Sequence, residues 1–243
     1  MERSGRLSAC HETHVAAVAC LLSLCGSADA IVGDAQPADW MIIRSTLIVF
    51  SSRGGCSGAL LGHDLVLTAA HCVTSATNLK IAGPGVRWTD VKEAVPHPQF
   101  SASVRPPADV ALLKLYQPLP APLVPTLLGA RPVAVGERLI IAGYGLQDDG
   151  TFGAARMTTL TVNRLYDKLL ELNDRAAVGE SSKLGGCKGD SGGPAFAMRG
   201  APFLVGIMTG VFYCGGATFV TPVAPYGDWI METAQQLGSQ LGP

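Results

Sequence analysis

Apolar positions along the chain come in short blocks between turn residues, without a sustained helical period. Residues 46–50, 64–68, 79–82, 110–115, 138–142, 157–162, 203–208 and 218–223 are rich in β-branched and aliphatic side chains. Blocks of this length and spacing predict antiparallel strands packed as sandwiches or barrels. Pro118, Pro120, Pro122 and Pro125 interrupt the pattern near the middle, where a connector between two β units belongs. The tail differs, because Trp229, Ile230, Ala234, Leu237 and Leu241 recur at helical spacing behind Asp228, a candidate N-cap, with Gly242 and Pro243 after them. A closing helix packed on the second unit is expected. Residues 166–179 are ambiguous: Leu165, Leu169 and Leu172 share a helical face, yet the segment reads equally well as a loop. No internal repeat is visible.

Composition narrows the class. Of 243 residues, 48% are hydrophobic and 15% charged, against a usual charged share of ~25%, which excludes disorder and coiled coil. The 29 glycines and 16 prolines, without period, suit a turn-rich all-β protein. A formal net charge of -1 gives no electrostatic attraction to nucleic acid or acidic lipid. At the start, Arg3 and Arg6 precede an apolar run over 15–25, followed by the small residues around Ala28, Asp29 and Ala30. This order predicts a secretory signal over 1–30 rather than a membrane anchor, which takes ~20 apolar residues, or an N-terminal helix. Removing it leaves 16 basic and 16 acidic residues. Cys10, Cys20 and Cys25 leave as well, and the even set Cys56, Cys72, Cys187 and Cys214 suits an oxidising compartment, secreted or periplasmic. Their spacings of 16, 115 and 27 hold no short metal-ligand pair, so zinc is disfavoured.

Three segments carry candidate chemistry. In Gly189-Asp190-Ser191-Gly192-Gly193-Pro194 a serine stands among residues with little side chain, which frees backbone N–H groups to point at a bound oxygen. Alone, this also reads as a Gly-rich turn. Thr68-Ala69-Ala70-His71-Cys72 places a histidine at the end of an apolar strand beside a cysteine, and a fixed imidazole suits a general base. His63 and His97 read as structural. Asp109 heads the apolar run Val110-Ala111-Leu112-Leu113, so its carboxylate is expected to be buried and to need a partner, which His71 Nδ1–H would supply; taken alone, Asp109 reads as a turn or strand-cap residue. Gly143-Tyr144-Gly145 lacks the third glycine of a nucleotide-binding fingerprint and reads as a strand end.

In the order His71, Asp109, Ser191, these segments resemble the trypsin and chymotrypsin family of serine endopeptidases, a similarity that runs from Ile31 to the C-terminal helix. The resemblance implies an all-β fold of two packed antiparallel six-stranded β-barrels with a C-terminal α-helix. The trypsin-like domain would cover 31–243, with the first barrel over about 31–125, the second over about 126–228 and the helix over about 229–241. It implies that Ser191 attacks the scissile carbonyl, His71 relays the proton and Asp109 orients His71, with the N–H groups of Gly189 and Ser191 as the oxyanion hole. It also implies the disulfides Cys56–Cys72 and Cys187–Cys214. Protein or peptide substrates and protein protease inhibitors are the implied partners of a monomer that binds neither nucleic acid nor membrane. No cofactor is implied, and no metal either, because the segment between His71 and Asp109 is short and lacks an acidic pair for calcium.

Ile31-Val32-Gly33-Asp34 resembles the mature start of the family, whose free ammonium pairs with the carboxylate before the nucleophile, here Asp190. Ala30 precedes it instead of Arg or Lys, so signal peptidase cutting after Ala28-Asp29-Ala30 would export and activate the chain in one step; the alternative start is Asp29. By alignment, Gly185 and Gly186 form the floor of the primary specificity pocket and Val211 and Ala217 its walls. The aspartate that selects Arg and Lys is missing and Val211 blocks large aromatics, which implies an elastase-like preference for small or medium aliphatic residues. Thr209 stands beside the substrate backbone with a hydroxyl that can reach Asp109, and Gly210 takes the place of an aromatic wall. Two alternatives remain: a non-catalytic secreted binding protein on this scaffold, and an esterase with the same acyl-enzyme chemistry. The Gly-x-Ser-x-Gly letters of an α/β-hydrolase elbow are present, but the order serine, acid, histidine is not.

Overall fold

The computed structural model describes residues 31–103, 108–145, 153–174 and 183–242. The expected leader over 1–30 lies outside them. The chain enters through β1 (Gln36–Pro37) and a single turn, α1 (Trp40–Ile43), then runs β2 (Thr46–Ser51), β3 (Gly54–Gly62), β4 (Leu65–Thr68), the short α2 (Ala70–Val73), β5 (Lys80–Gly83), β6 (Val86–Pro96) and β7 (Ala111–Leu115). These close a barrel in the order β2-β3-β4-β7-β6-β5. The second half follows as β8 (Leu127–Leu128), β9 (Arg138–Gly143), β10 (Arg156–Tyr166), β11 (Leu169–Asn173), β12 (Pro194–Arg199), β13 (Ala201–Val211), β14 (Thr218–Pro222) and α3 (Gly227–Gln236). Here β10-β11-β14-β13-β12-β9 closes through the β9–β10 pair, giving the second six-stranded antiparallel barrel.

The strands read from apolar blocks form because each block has somewhere to bury both faces. Every residue of β4 and β7 is buried, one face inside the barrel and the other against neighbouring elements. One apolar cluster contains Leu47, Leu67, Ile81 and Leu113 of the first barrel and continues into Phe196, Leu204 and Ile207 of the second. A separate cluster around Leu139, Leu160 and Val220 fills the second barrel. Barrel docking thus extends the first core into the second barrel.

Several expectations need correction. The start of the chain does not join the first barrel: Gln36 and Pro37 pair with Met157 and Arg156 of β10. Asp228 lies in the first turn of α3, and Tyr226 is its N-cap. The helix, expected to pack on the second barrel, packs against β7 of the first. Ile230 and Ala234 join the cluster of Leu112 and Leu113, and Lys114 Nζ donates to Ser239 Oγ at 2.8 Å and to the Gly238 carbonyl at 3.2 Å while pairing with Asp64 at 2.5 Å. The helix stops at Gln236, short of 241, and the chain end bonds back to β3 through Gly242 N–H to the Leu61 carbonyl. In the ambiguous stretch, residues 169–173 form β11 between β10 and β14, because Leu170 and Leu172 supply buried positions at a period of two; 175–179 lie outside the described residues.

Candidate active site

His71 sits where strand turns to helix. β4 ends at Thr68, Ala69 and Ala70 are too small to separate the backbone from the core, and α2 turns the His71 ring outward with 39% of its side chain exposed. Asp109 precedes β7 with 2% exposure. Its Oδ1 accepts the His71 backbone N–H at 2.9 Å, and its Oδ2 accepts the ring Nδ1–H at 2.7 Å. The Thr209 hydroxyl, arriving from β13 of the other barrel, donates to the same Oδ2. A carboxylate this deeply buried needs such donors around it. Because an ionised carboxylate can only accept, it holds the proton on Nδ1 and leaves Nε2 as a lone pair facing the cleft.

Ser191 reaches the same cleft from the second barrel, held by main-chain bonds to the first. The Ser57 N–H donates to the Ser191 carbonyl at 2.8 Å, and Cys72 Sγ touches both that carbonyl, at 3.8 Å, and His71 Nε2, at 3.6 Å. The histidine ring and the serine main chain therefore flank one sulfur atom of the Cys56–Cys72 disulfide. Among the described residues no hydrogen bond joins Ser191 Oγ to His71 Nε2. Catalytic contacts of this kind are often loose in a free enzyme and tighten when substrate is bound. Gly192, at φ +81, must be glycine: a Cβ there would strike the Thr68 hydroxyl and the Ser57 carbonyl.

The serine loop presents two donors. Neither the Gly189 nor the Ser191 N–H bonds to an acceptor among the described residues, whereas Asp190 N–H bonds the Cys187 carbonyl and Gly193 N–H the Asp190 carbonyl. The Gly189 carbonyl is turned away from the cleft by Ser57 Oγ, at 3.0 Å, and the same Oγ accepts the Tyr144 N–H at 3.1 Å. Thr68 Oγ1 in turn donates to the Ser57 carbonyl at 2.8 Å. Ser57, fully buried in the glycine-rich β3, is thus the hub that aligns the loop. Sequence reading missed it, and nothing local in Gly55-Cys56-Ser57-Gly58 marks it, because its partners are 87 and 132 residues away.

Behind the loop, Ile31 and Asp190 are both buried, and the Ile31 N–H donates to Asp190 Oδ2 at 2.9 Å. Cys187 N–H donates to the same oxygen at 2.9 Å. Asp190 Oδ1 has no hydrogen-bond partner among the described residues and packs against Gly143, where a Cβ would collide with it. Burial pushes the Asp190 carboxyl up to about 6, opposed only in part by the N–H groups of Ile31, Cys187 and Gly145. Ile31 carries this load at φ +41, an outlying backbone angle for a β-branched residue.

The expected pocket residues lie together. Gly185 and Gly186 are buried, and a Cβ on Gly185 would meet the Gly216 carbonyl oxygen at 2.7 Å. A Cβ on Gly186 would meet Val211 Cγ1 at 3.1 Å, so the valine lies against Gly186. The Ala217 carbonyl accepts the Phe212 N–H at 3.0 Å. Cys187–Cys214 ties the segment after β13 to the serine loop. Donor atoms of Cys56, His71 and Cys72 lie within 4.8 Å of one another, but the two sulfurs are bonded to each other and offer no thiolate to a metal.

Among the described residues no helix is long and apolar enough to cross a membrane. A family model described as Trypsin matches residues 35–230. The rat vitamin K-dependent protein C is 31% identical over 220 residues, covering 77% of this chain and 48% of that protein. Its mouse counterpart is 30% identical over 231 residues, covering 82% of this chain and 50% of that protein. Human kallikrein-15 is 27% identical over 216 residues, covering 76% of this chain and 83% of that protein. The chain thus spans about half the length of the two protein C sequences. With two six-stranded barrels, a buried Asp109 bonded to His71 near a serine loop and a family match over most of its length, the chain belongs to the trypsin family.

Proposed function

We propose that this protein is a secreted serine endopeptidase that cleaves peptide bonds after small or medium aliphatic residues. The observation that carries the reading is the 2.7 Å bond between His71 and the buried Asp109, which leaves Nε2 as a proton acceptor against the same disulfide sulfur that the Ser191 carbonyl touches. Ser191 Oγ attacks the scissile carbonyl carbon as its proton passes to Nε2. The resulting imidazolium is stabilised by Asp109, which stays ionised, and the carbonyl oxygen, now an oxyanion, takes the N–H groups of Gly189 and Ser191. His71 returns the proton to the leaving amine, leaving an acyl-enzyme on Ser191. Water attacks that ester with the same base, and collapse of the second tetrahedral species frees the acid and the serine. Val211 against Gly186 limits the residue before the scissile bond to a small or medium side chain.

Cleavage after Ala30 is the maturation step. In the uncut chain Asp190 is a buried carboxylate facing an amide, with one oxygen unpartnered, and Ile31 holds an unfavourable φ. A free terminus removes the φ constraint and supplies a cation with two further N–H donors. A fluorophosphonate probe tests the chemistry: the protein starting at Ile31 is labelled, and Ser191→Ala is not. Unlabelled but folded protein starting at Ile31 overturns the enzymatic reading in favour of a binding protein. Amino-terminal sequencing of exported material tests the maturation, and a start at Asp29 overturns the single-cut route.

A further inference from the structure

We propose that the cleft between α1, the proline-rich connector and the start of β13 is a binding site for a small molecule with an apolar body and one carboxylate. The cleft measures about 330 Å³, a volume in the range of small-molecule sites. Met41 and Arg44 come from α1 and its C-cap, Val124 to Leu127 from the connector and β8, and Ala201 and Pro202 from β13. Backbone bonds hold these pieces together. The Val124 N–H donates to the Arg44 carbonyl at 3.0 Å, and the Thr126 N–H donates to the Leu60 carbonyl at 2.8 Å. Leu127 then pairs in parallel with Phe203, which fixes the connector beside the start of β13. From Pro202 the same strand runs to Met208 at the serine loop, about 20 Å away at ~3.4 Å per residue. Binding in this cleft therefore stands apart from the chemistry of His71 and Ser191, and it does not rest on the endopeptidase reading.

The walls are apolar, formed by Met41, Val124, Pro125, Leu127 and Pro202. Pro125 and Pro202 have no N–H, and those of Val124 and Thr126 are already spent, so these walls offer little to an uncharged polar ligand. Arg44 is the exception. Among the described residues its guanidinium makes no hydrogen bond or ion pair, and no acidic side chain lines the cleft. Arg131, by contrast, is paired with Glu137. A second polar group is also unmet: Thr126 Oγ1 is buried without a partner among the described residues, whereas Ser45 Oγ donates to the Ile42 carbonyl at 3.4 Å. A guanidinium presents parallel N–H groups that match the two oxygens of a carboxylate. A lone cation in apolar walls balances one negative charge and leaves the rest of the ligand to be apolar. A phosphate monoester carries more charge than one guanidinium balances. Met41, exposed and with an adaptable thioether, can close over an aliphatic chain.

Isothermal titration calorimetry on the purified protein, with octanoate and its neutral counterpart octanamide, tests the site. Octanoate is expected to bind at one site, about tenfold or more tightly than octanamide. Arg44→Gln should erase that preference. Ala201→Trp places a large ring at the exposed rim of the cleft and should remove octanoate binding while leaving the circular-dichroism spectrum unchanged. Equal affinities for the two probes, a preference retained in Arg44→Gln, undiminished octanoate binding in folded Ala201→Trp, or no saturable octanoate binding at millimolar concentration each overturns the proposal. So does a dimer in sedimentation that folded Ala201→Trp dissolves, because a second copy of the chain is then the occupant.

Discussion

Ser57→Ala removes one oxygen that serves two buried groups. Without it the Gly189 carbonyl loses its donor at 3.0 Å and the Tyr144 N–H loses its acceptor at 3.1 Å. Both lie where water does not reach, since Ser57 and Gly189 are buried and so is Tyr144. An unsatisfied buried polar group costs about 1–3 kcal/mol, so two of them, eased by relaxation, lower the unfolding free energy by roughly 3 kcal/mol. For a domain of this size that is about 6–12 °C in Tm. The catalytic effect is separate. A Gly189 residue freed from Ser57 can turn to find another partner and take its own N–H out of the oxyanion position. Complete loss of one such donor costs about 10²–10³ in kcat, and partial misalignment should cost at least about tenfold. Among the described residues Ser57 makes no hydrogen bond to Gly185, Gly186 or Val211, so KM should move less than threefold. Steady-state kinetics on one peptide, well below the melting transition, with thermal melts of both proteins, reads the two effects independently. A lowered Tm with kcat within twofold of the unaltered enzyme would refute the alignment argument, and an unchanged Tm would refute the hydrogen-bond accounting.

Val211→Gly should open the pocket and raise kcat/KM about tenfold or more for peptides with Phe before the cut relative to matched Ala peptides; an unchanged ratio in a substrate panel rejects Val211 as the barrier. Uncut and cut proteins should differ in pH dependence. In the uncut chain the Asp190 carboxyl is raised to about 6, the folded state holds that proton more tightly than the unfolded state, and stability is lost as pH rises from about 4 through 6. Freeing the Ile31 ammonium favours the carboxylate and reverses the slope, and melts of both forms across pH 4–7 that run parallel would refute this.

How much of this was legible in the sequence depended on whether the evidence was local. The strand over Thr46–Ser51 and that over Ala111–Leu115 could be read because burial demands apolar letters. β3 could not: its glycines are spacers between packed side chains, as at Gly58, where a Cβ would press on Val66 and Val49. β6 hid for the opposite reason, since its exposed positions include Arg87, Asp90, Lys92 and Glu93, which look like loop. The helix was visible from its period, but the surface it covers was not, because Ile230 and Ala234 say only that something apolar lies opposite. At the site, resemblance brought His71, Asp109 and Ser191 together, and the Thr209 hydroxyl was expected near Asp109. Ser57 and Thr68 had no such signal, being polar residues in strands whose partners appear only when the barrels dock.

That docking is also where stability and chemistry become one problem. Asp109 and His71 belong to the first barrel, yet Oδ2 of Asp109 is completed by Thr209 from the second. Ser191 belongs to the second, yet its carbonyl and that of Gly189 are held by Ser57 from the first. A shifted docking would therefore bury these groups without their partners, at about 1–3 kcal/mol for every bond left open. The apolar cluster that runs from Leu67 to Phe196 and Ile207 supplies a non-directional attraction between the halves, but it does not fix their relative position. The crossed hydrogen bonds do, because each tolerates only a few tenths of an ångström. On this argument the polar contacts around Ser57 and Thr209 set the register in which the barrels meet, and the approach of histidine to serine follows from that register.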